Sequence, residues 1–181
     1  SILPNLVIHN ASYSRMASAF AEMSYKMTGP NYVRLDRKVF PLIYKEGDDF
    51  SSGLTVLKKS DDIYLVATGN MVHRALEVAE ELKKHSIDAG VIDLYTLPIN
   101  KKLFLEATKN VKKIITLEEH VLAGGLGSAV AEVLVDNQRQ VSLKRIGLTF
   151  KEGYCYKYGG RENIQSLYGL DKESIVKTIL E

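Results

Sequence analysis

The chain has 181 residues, 45% of them hydrophobic and 25% charged, with a formal net charge of +2 and one cysteine. That balance supports a packed core and excludes a disordered or collagen-like chain, an internal disulfide and any multi-cysteine zinc site. Its field is too weak for a nucleic-acid binder, and no apolar run approaches the roughly 20 residues of a membrane span. The opening Ser1-Ile2-Leu3-Pro4 lacks the charged and apolar regions of a signal peptide, so a cytoplasmic protein is expected.

The first elements form a small unit. A strand over Leu6 to His9, a helix from about Tyr13 to Met27, a Gly29-Pro30 stop and a strand over Tyr32 to Leu35 make one βαβ crossover. Two parallel strands and one helix cannot cover both faces of a sheet, so this unit must belong to a larger domain or lean on another chain. Residues 38 to 55, with Pro41, Gly47-Asp48-Asp49 and Ser51-Ser52-Gly53, read as a linker.

From residue 62 the pattern alternates between β-rich runs and helical periodicity. Strand Ile63 to Ala67 leads through Thr68-Gly69-Asn70 into a helix with Met71, Ala75, Leu76, Ala79 and Leu82 on one face, ending near His85. Strand Ala89 to Leu94 is stopped by Pro98, and a short helix follows from about Lys101 to Asn110. Then come strand Ile114 to Leu117, helix Gly124 to Asn137, strand Val141 to Ile146, helix Glu162 to Tyr168 and a last helix from Asp171 to Leu180. The expected fold is α/β: a three-layer, mostly parallel sheet with helices on both faces, preceded by the partial βαβ unit. No internal repeat is present.

Several constellations could carry chemistry. "TLEEHVLAGGLGSAV" passes from a strand through glycines into a helix, the arrangement of a phosphate cradle. It lacks the spacing of a dinucleotide fingerprint or a P-loop, and Glu118 and Glu119 would repel a phosphate. An architectural role for the glycines, allowing positive φ and close packing, is the stronger reading. Glu118, Glu119 and His120 sit where the third strand would end, a usual place for acid and base groups, although interface contacts account for them as well. His73 and His85 read as exposed, and a ligand role stays open for His9. Arg34 and Arg37, at the frayed end of the second strand, suit bidentate capture of a phosphate or carboxylate, with a surface ion pair to Asp36 or a neighbour as the alternative. Tyr154, Tyr156 and Tyr158 alternate around Cys155 and suggest an interface rather than a base-stacking platform.

Taken in order, "GPNYVRLDR", "DIYLVATGNMVHRALEVAEEL", "AGVIDLYTLPIN", "IITLEEHVLAGGLGSAVAEVL" and "YGLDKESIV" resemble the carboxyl end of the transketolase family. The likeness is greatest to the C-terminal half of transketolases divided between two chains. The resemblance implies that residues 1 to 45 are a remnant of a pyrimidine-binding domain, 46 to 55 a linker and 56 to 181 a transketolase C-terminal domain.

It further implies transfer of a two-carbon ketol unit between sugar phosphates by an enzyme using thiamine diphosphate and a divalent metal (Mg or Ca). 1-Deoxyxylulose-5-phosphate synthase and a 2-oxoacid dehydrogenase E1 β chain are alternatives within the class, and a non-enzymatic dimerisation module is the alternative outside it. The family's catalytic glutamate lies upstream of Pro4, so no catalytic residue or metal ligand is expected here, and the fragment alone is expected to be inactive and to bind no cofactor. Arg37 matches the family arginine that binds the substrate's phosphate. Glu118, Glu119 and His120 become candidates for interface or supporting contacts, and a homodimer or a companion subunit is implied, with no nucleic acid and no membrane as partner. Asn10, Ser12 and Arg15 replace the family's proline and acids, and "KEGYCYKYGGREN" departs from its usual short turn, which puts a standard pentose phosphate in question.

Overall fold

The computed structural model describes residues 3–149 and 155–181. Eight strands and six helices occur among them: β1 (Val7–Asn10), α1 (Ser14–Lys26), β2 (Asn31–Arg34), β3 (Leu54–Lys58), β4 (Ile63–Ala67), α2 (Met71–Lys83), β5 (Ala89–Leu94), β6 (Thr96–Leu97), α3 (Lys101–Ala107), β7 (Lys113–Val121), α4 (Leu126–Asp136), β8 (Ser142–Leu148), α5 (Gly160–Leu167) and α6 (Lys172–Leu180).

The larger sheet has the order β3-β5-β4-β7-β8, parallel except at the β3 edge, which pairs antiparallel with β5. Strands β4 and β5 are buried along their whole lengths, as continuous apolar runs covered on both faces must be. Period two then sorts their side chains. Leu65, Ala67 and Val91 face α2 and α6, packing on Ala75, Val78, Leu82, Ile175 and Ile179. Tyr64, Val66 and Ile92 face α3 and α4, packing on Phe104, Val130 and Leu134. These layers are the three-layer α/β fold that the periodicity implies.

The small sheet differs from expectation in a way that bears on the site. It has three strands in the order β2-β1-β6, because Thr96 and Leu97 leave the end of β5 and pair antiparallel with β1. The isolated crossover therefore takes a strand from the second unit. Nor are residues 46 to 55 a free linker. Phe50 is buried among Phe20, Tyr44 and Tyr95, with ring centroids 5.0 to 6.3 Å from it, and β3 begins at Leu54. Strand β6 has only two residues, too few for hydrophobic periodicity, and β3 directly follows Gly47-Asp48-Asp49 and Ser51-Ser52-Gly53, which read as linker. Strand β7 runs on to Val121, so Glu118 to His120 lie within it rather than after it.

Strand order reverses at β4: β5 lies on one side of it and β7 on the other, each reached through a helix. That switch point opens a crevice at the carboxyl ends of β4 and β7. The parallel strands β1 and β2 also end there, since Asn10 donates from Nδ2 to Thr68 Oγ1 at 3.1 Å. Gly69 turns the chain at φ +58°, and a Cβ on it would lie 2.8 Å from the Asn10 amide. Only glycine lets the two sheets approach this closely.

Candidate functional site at the strand ends

The glycine loop proves to hold an anion of its own. Glu118, 1% exposed, accepts backbone N–H bonds from Leu126 at 2.7 Å and Gly127 at 2.8 Å, filling the start of α4. Unpaired amides and the helix dipole favour negative charge at that place, and the protein's own carboxylate supplies it. Burial pushes the Glu118 carboxyl up, against the pull of the two backbone bonds. A Cβ on Gly125 would stand 1.9 Å from Glu118 Oε2, so this glycine makes room for the cap. The phosphate-cradle alternative is thereby excluded for these amides.

Glu119 points the other way, into a network that joins four segments. It accepts from Asn70 Nδ2 at 2.5 Å, Gln165 Nε2 at 3.0 Å and Arg161 Nε at 3.2 Å. Arg161 also donates from Nη1 to Asp36, 2.7 Å from Oδ2, and Asn70 reaches Asp36 at 3.3 Å. Burial raises the Asp36 carboxyl, but hydrogen bonds from Arg161, the Lys38 backbone N–H and Asn70 outweigh it and hold it at about 2. His120 is exposed and closes on its own neighbour, with Nδ1 2.9 Å from the carbonyl oxygen of Val121. The three consecutive residues thus separate into a buried helix cap, a network acceptor and an exposed imidazole.

Arg34 ends β2, half-buried and without an ion pair among the described residues, beside Thr68, Asn70 and His120. Arg37 lies three residues beyond the strand, exposed and likewise without an ion pair among them. With Lys38, Gly160 and Arg161 it lines an open cleft of about 600 Å³. The alternative, a surface ion pair of Arg34 or Arg37 with Asp36 or a neighbour, is not formed: Asp36 is taken by Arg161, from the far end of the sequence.

Two histidine readings change. His73 is not exposed on a charged helix: it stacks on Phe40 with centroids 4.6 Å apart and bonds the Ser12 carbonyl oxygen through Nε2 at 2.8 Å. His9 is buried against Phe20, with Nδ1 2.9 Å from Thr96 Oγ1 and its buried Nε2 unpaired among the described residues, so it sits in the core. Ser12, one of the departures from the family pattern, is buried and donates to Asp93 at 2.5 Å; Tyr44 donates to the same oxygen at 2.8 Å. Arg15 forms an exposed pair with Glu46. Tyr156 and Tyr158 are exposed, whereas Tyr154 lies outside the described residues. Asn70, Arg161 and Gln165 were not foreseen, because their shared acceptor is separated from them by 49, 42 and 46 positions in the chain.

The described residues do not fit thiamine diphosphate with its metal. No group of three or more His, Cys, Asp or Glu among them could hold a metal ion, and the helix start after the glycine loop is filled by Glu118. No helix among the described residues is long and apolar enough to cross a membrane.

Fold and site together define an α/β switch-point domain with two arginines, Arg34 and Arg37, that carry no ion pair among the described residues at its edge. Residues 53–175 match the family described as transketolase, C-terminal domain. A subunit of the apulose-4-phosphate transketolase of Actinobacillus succinogenes is 32% identical over 178 residues, covering 97% of this chain and 57% of that protein. 1-Deoxy-D-xylulose-5-phosphate synthase of Crocosphaera subtropica is 36% identical over 155 residues, 82% of this chain and 24% of that one. A split-gene transketolase solved as an inactive β4 tetramer superposes with TM-score 0.89 at 31% identity, covering 99% of this chain and 58% of its own. The chain therefore belongs to the transketolase C-terminal domain family, and it spans little more than half the length of the apulose-4-phosphate transketolase subunit and of the split-gene chain and about a quarter of the synthase.

Proposed function

We propose that this chain is the C-terminal part of a thiamine-diphosphate-dependent transketolase that transfers a two-carbon ketol unit between sugar phosphates. The observation that carries the reading is similarity to a transketolase subunit along 97% of the chain, extending through the β1-α1-β2 unit in front of the matched domain. In this reading residues 1 to 45 complete a pyrimidine-binding domain, 56 to 181 form the C-terminal domain, and the cofactor is held by the remainder of the enzyme. The assembly is a cytoplasmic homodimer or a complex with a companion subunit, with the catalytic groups outside this chain.

The chain's own contribution is substrate recognition. Arg37, at the rim of an open cleft, takes the phosphate of the sugar through charge-assisted hydrogen bonds. Glu118, Glu119 and His120 support the site without touching substrate. The test is titration of a ketose phosphate and its dephosphorylated analogue into the complete enzyme. Arg37→Ala is expected to weaken binding of the phosphorylated sugar by about 1.5–3 kcal/mol, the range for a hydrogen bond to a charged group, and to leave the other unchanged. Equal effects on both sugars would remove Arg37 from the phosphate site. Similarity to the synthase supports a second reading in which pyruvate is the donor, and carbon dioxide release from pyruvate separates the two.

A further inference from the structure

We propose that Arg161 is a positioning residue for Arg37: by clamping Asp36 against Glu119 it sets the loop that presents Arg37 to the substrate's phosphate. The inference rests on the functional reading above and names a determinant within that same site. Strand β2 stops at Arg34, so Leu35 to Lys38 has no ladder to hold it. The loop is held by side chains instead. Asp36 accepts the Lys38 backbone N–H at 3.0 Å and the Arg161 guanidinium at 2.7 Å, and Lys38 Nζ reaches Glu162 at 2.9 Å. Both neighbours of Arg37 are therefore tied to the first turn of α5.

The two ties are unequal. The Lys38–Glu162 pair is exposed on both sides and adds little. Asp36 and Glu119 keep only 15% and 18% of their side-chain surface, and Arg161 bridges them through Nη1 and Nε. A planar guanidinium suits this double engagement and an ammonium does not. The two carboxylates that share the cleft with Arg37 are thereby occupied, Asp36 by Arg161 and Glu162 by Lys38, so the Arg37 charge is left to face the cleft.

The test uses the complete enzyme, with a ketose phosphate and the same ketose without phosphate as alternative donors. Arg161→Met is expected to raise KM for the phosphorylated donor roughly ten- to a hundredfold, the scale of an ångström-sized misplacement, with kcat within about twofold and KM for the free ketose unmoved. Arg161→Lys should recover part of the loss. Asp36→Asn, which opens the clamp from its other side, should give the same split and guards against a folding defect in the first variant. Equal KM changes for both donors, or none, in an enzyme whose wild type transfers ketol units would overturn the clamp alone. A wild type that transfers none would overturn the functional reading and the clamp with it.

Discussion

Replacing Glu118 by alanine removes the buried carboxylate that satisfies two backbone amides at the start of α4. Unmade hydrogen bonds of buried groups cost about 1–3 kcal/mol, so the urea midpoint of Glu118→Ala should fall accordingly; an unchanged midpoint would mean the amides find other partners. Asp93 tests a different electrostatic balance. It is fully buried, no cation is paired with it among the described residues, and burial pushes its carboxyl up to about 7 despite bonds from Ser12 and Tyr44. An acid with a raised folded-state pKa binds its proton more tightly in the native state, so this group's contribution to stability falls as pH rises from about 4 to about 7 and then levels. At about 1.4 kcal/mol per unit, the change is of the order of a few kcal/mol. Asp93→Asn keeps an oxygen toward Ser12 and Tyr44 and should remove that slope; a slope equal to wild type would show that Asp93 is not its source. Asp36 has the opposite sign: held at about 2, it stabilises the fold above its unfolded pKa of about 3.8, and that contribution is lost as pH falls toward 2.

At the scale of elements, the least foreseeable parts are those that join the two sheets. Periodicity reveals β4, β5 and α2 because burial on a whole face repeats at a fixed spacing, and their bounds match the pattern closely. It is silent about β6, whose two residues are ordered by pairing with β1 from 87 or more positions away. Phe50 looked like part of a linker because polar and glycine residues flank it on both sides. In the fold it closes an aromatic cluster with Phe20, Tyr44 and Tyr95 that fastens segment 38 to 53 to both units. Phe50→Ala should cost about 3–5 kcal/mol, as large-to-small changes in a packed core do, measured by equilibrium unfolding. A cost below about 1 kcal/mol would restore the segment to a loosely held linker. The candidate site was legible in the same uneven way. Arg37 follows a strand and is visible locally, whereas Asn70, Gln165 and Arg161 meet Glu119 only once the chain has folded.

For the whole molecule, the carboxyl ends of both sheets converge at the seam between the two units, and the proposal puts substrate recognition there and the cofactor chemistry in the remainder of the enzyme. Among the described residues Arg34 and Arg37 carry no ion pair, no group of three or more His, Cys, Asp or Glu could hold a metal ion, and the start of α4 is filled by Glu118. The proposal divides the work between this chain and the remainder of the enzyme. Its most direct test is ketol transfer from a ketose phosphate to an aldose phosphate, assayed with thiamine diphosphate and Mg²⁺, for this chain alone and for the chain joined to its companion domain or subunit. The account predicts turnover only in the completed, cofactor-loaded assembly. Turnover by the isolated chain, or a completed assembly that binds thiamine diphosphate yet transfers no ketol unit from any ketose phosphate, would contradict it.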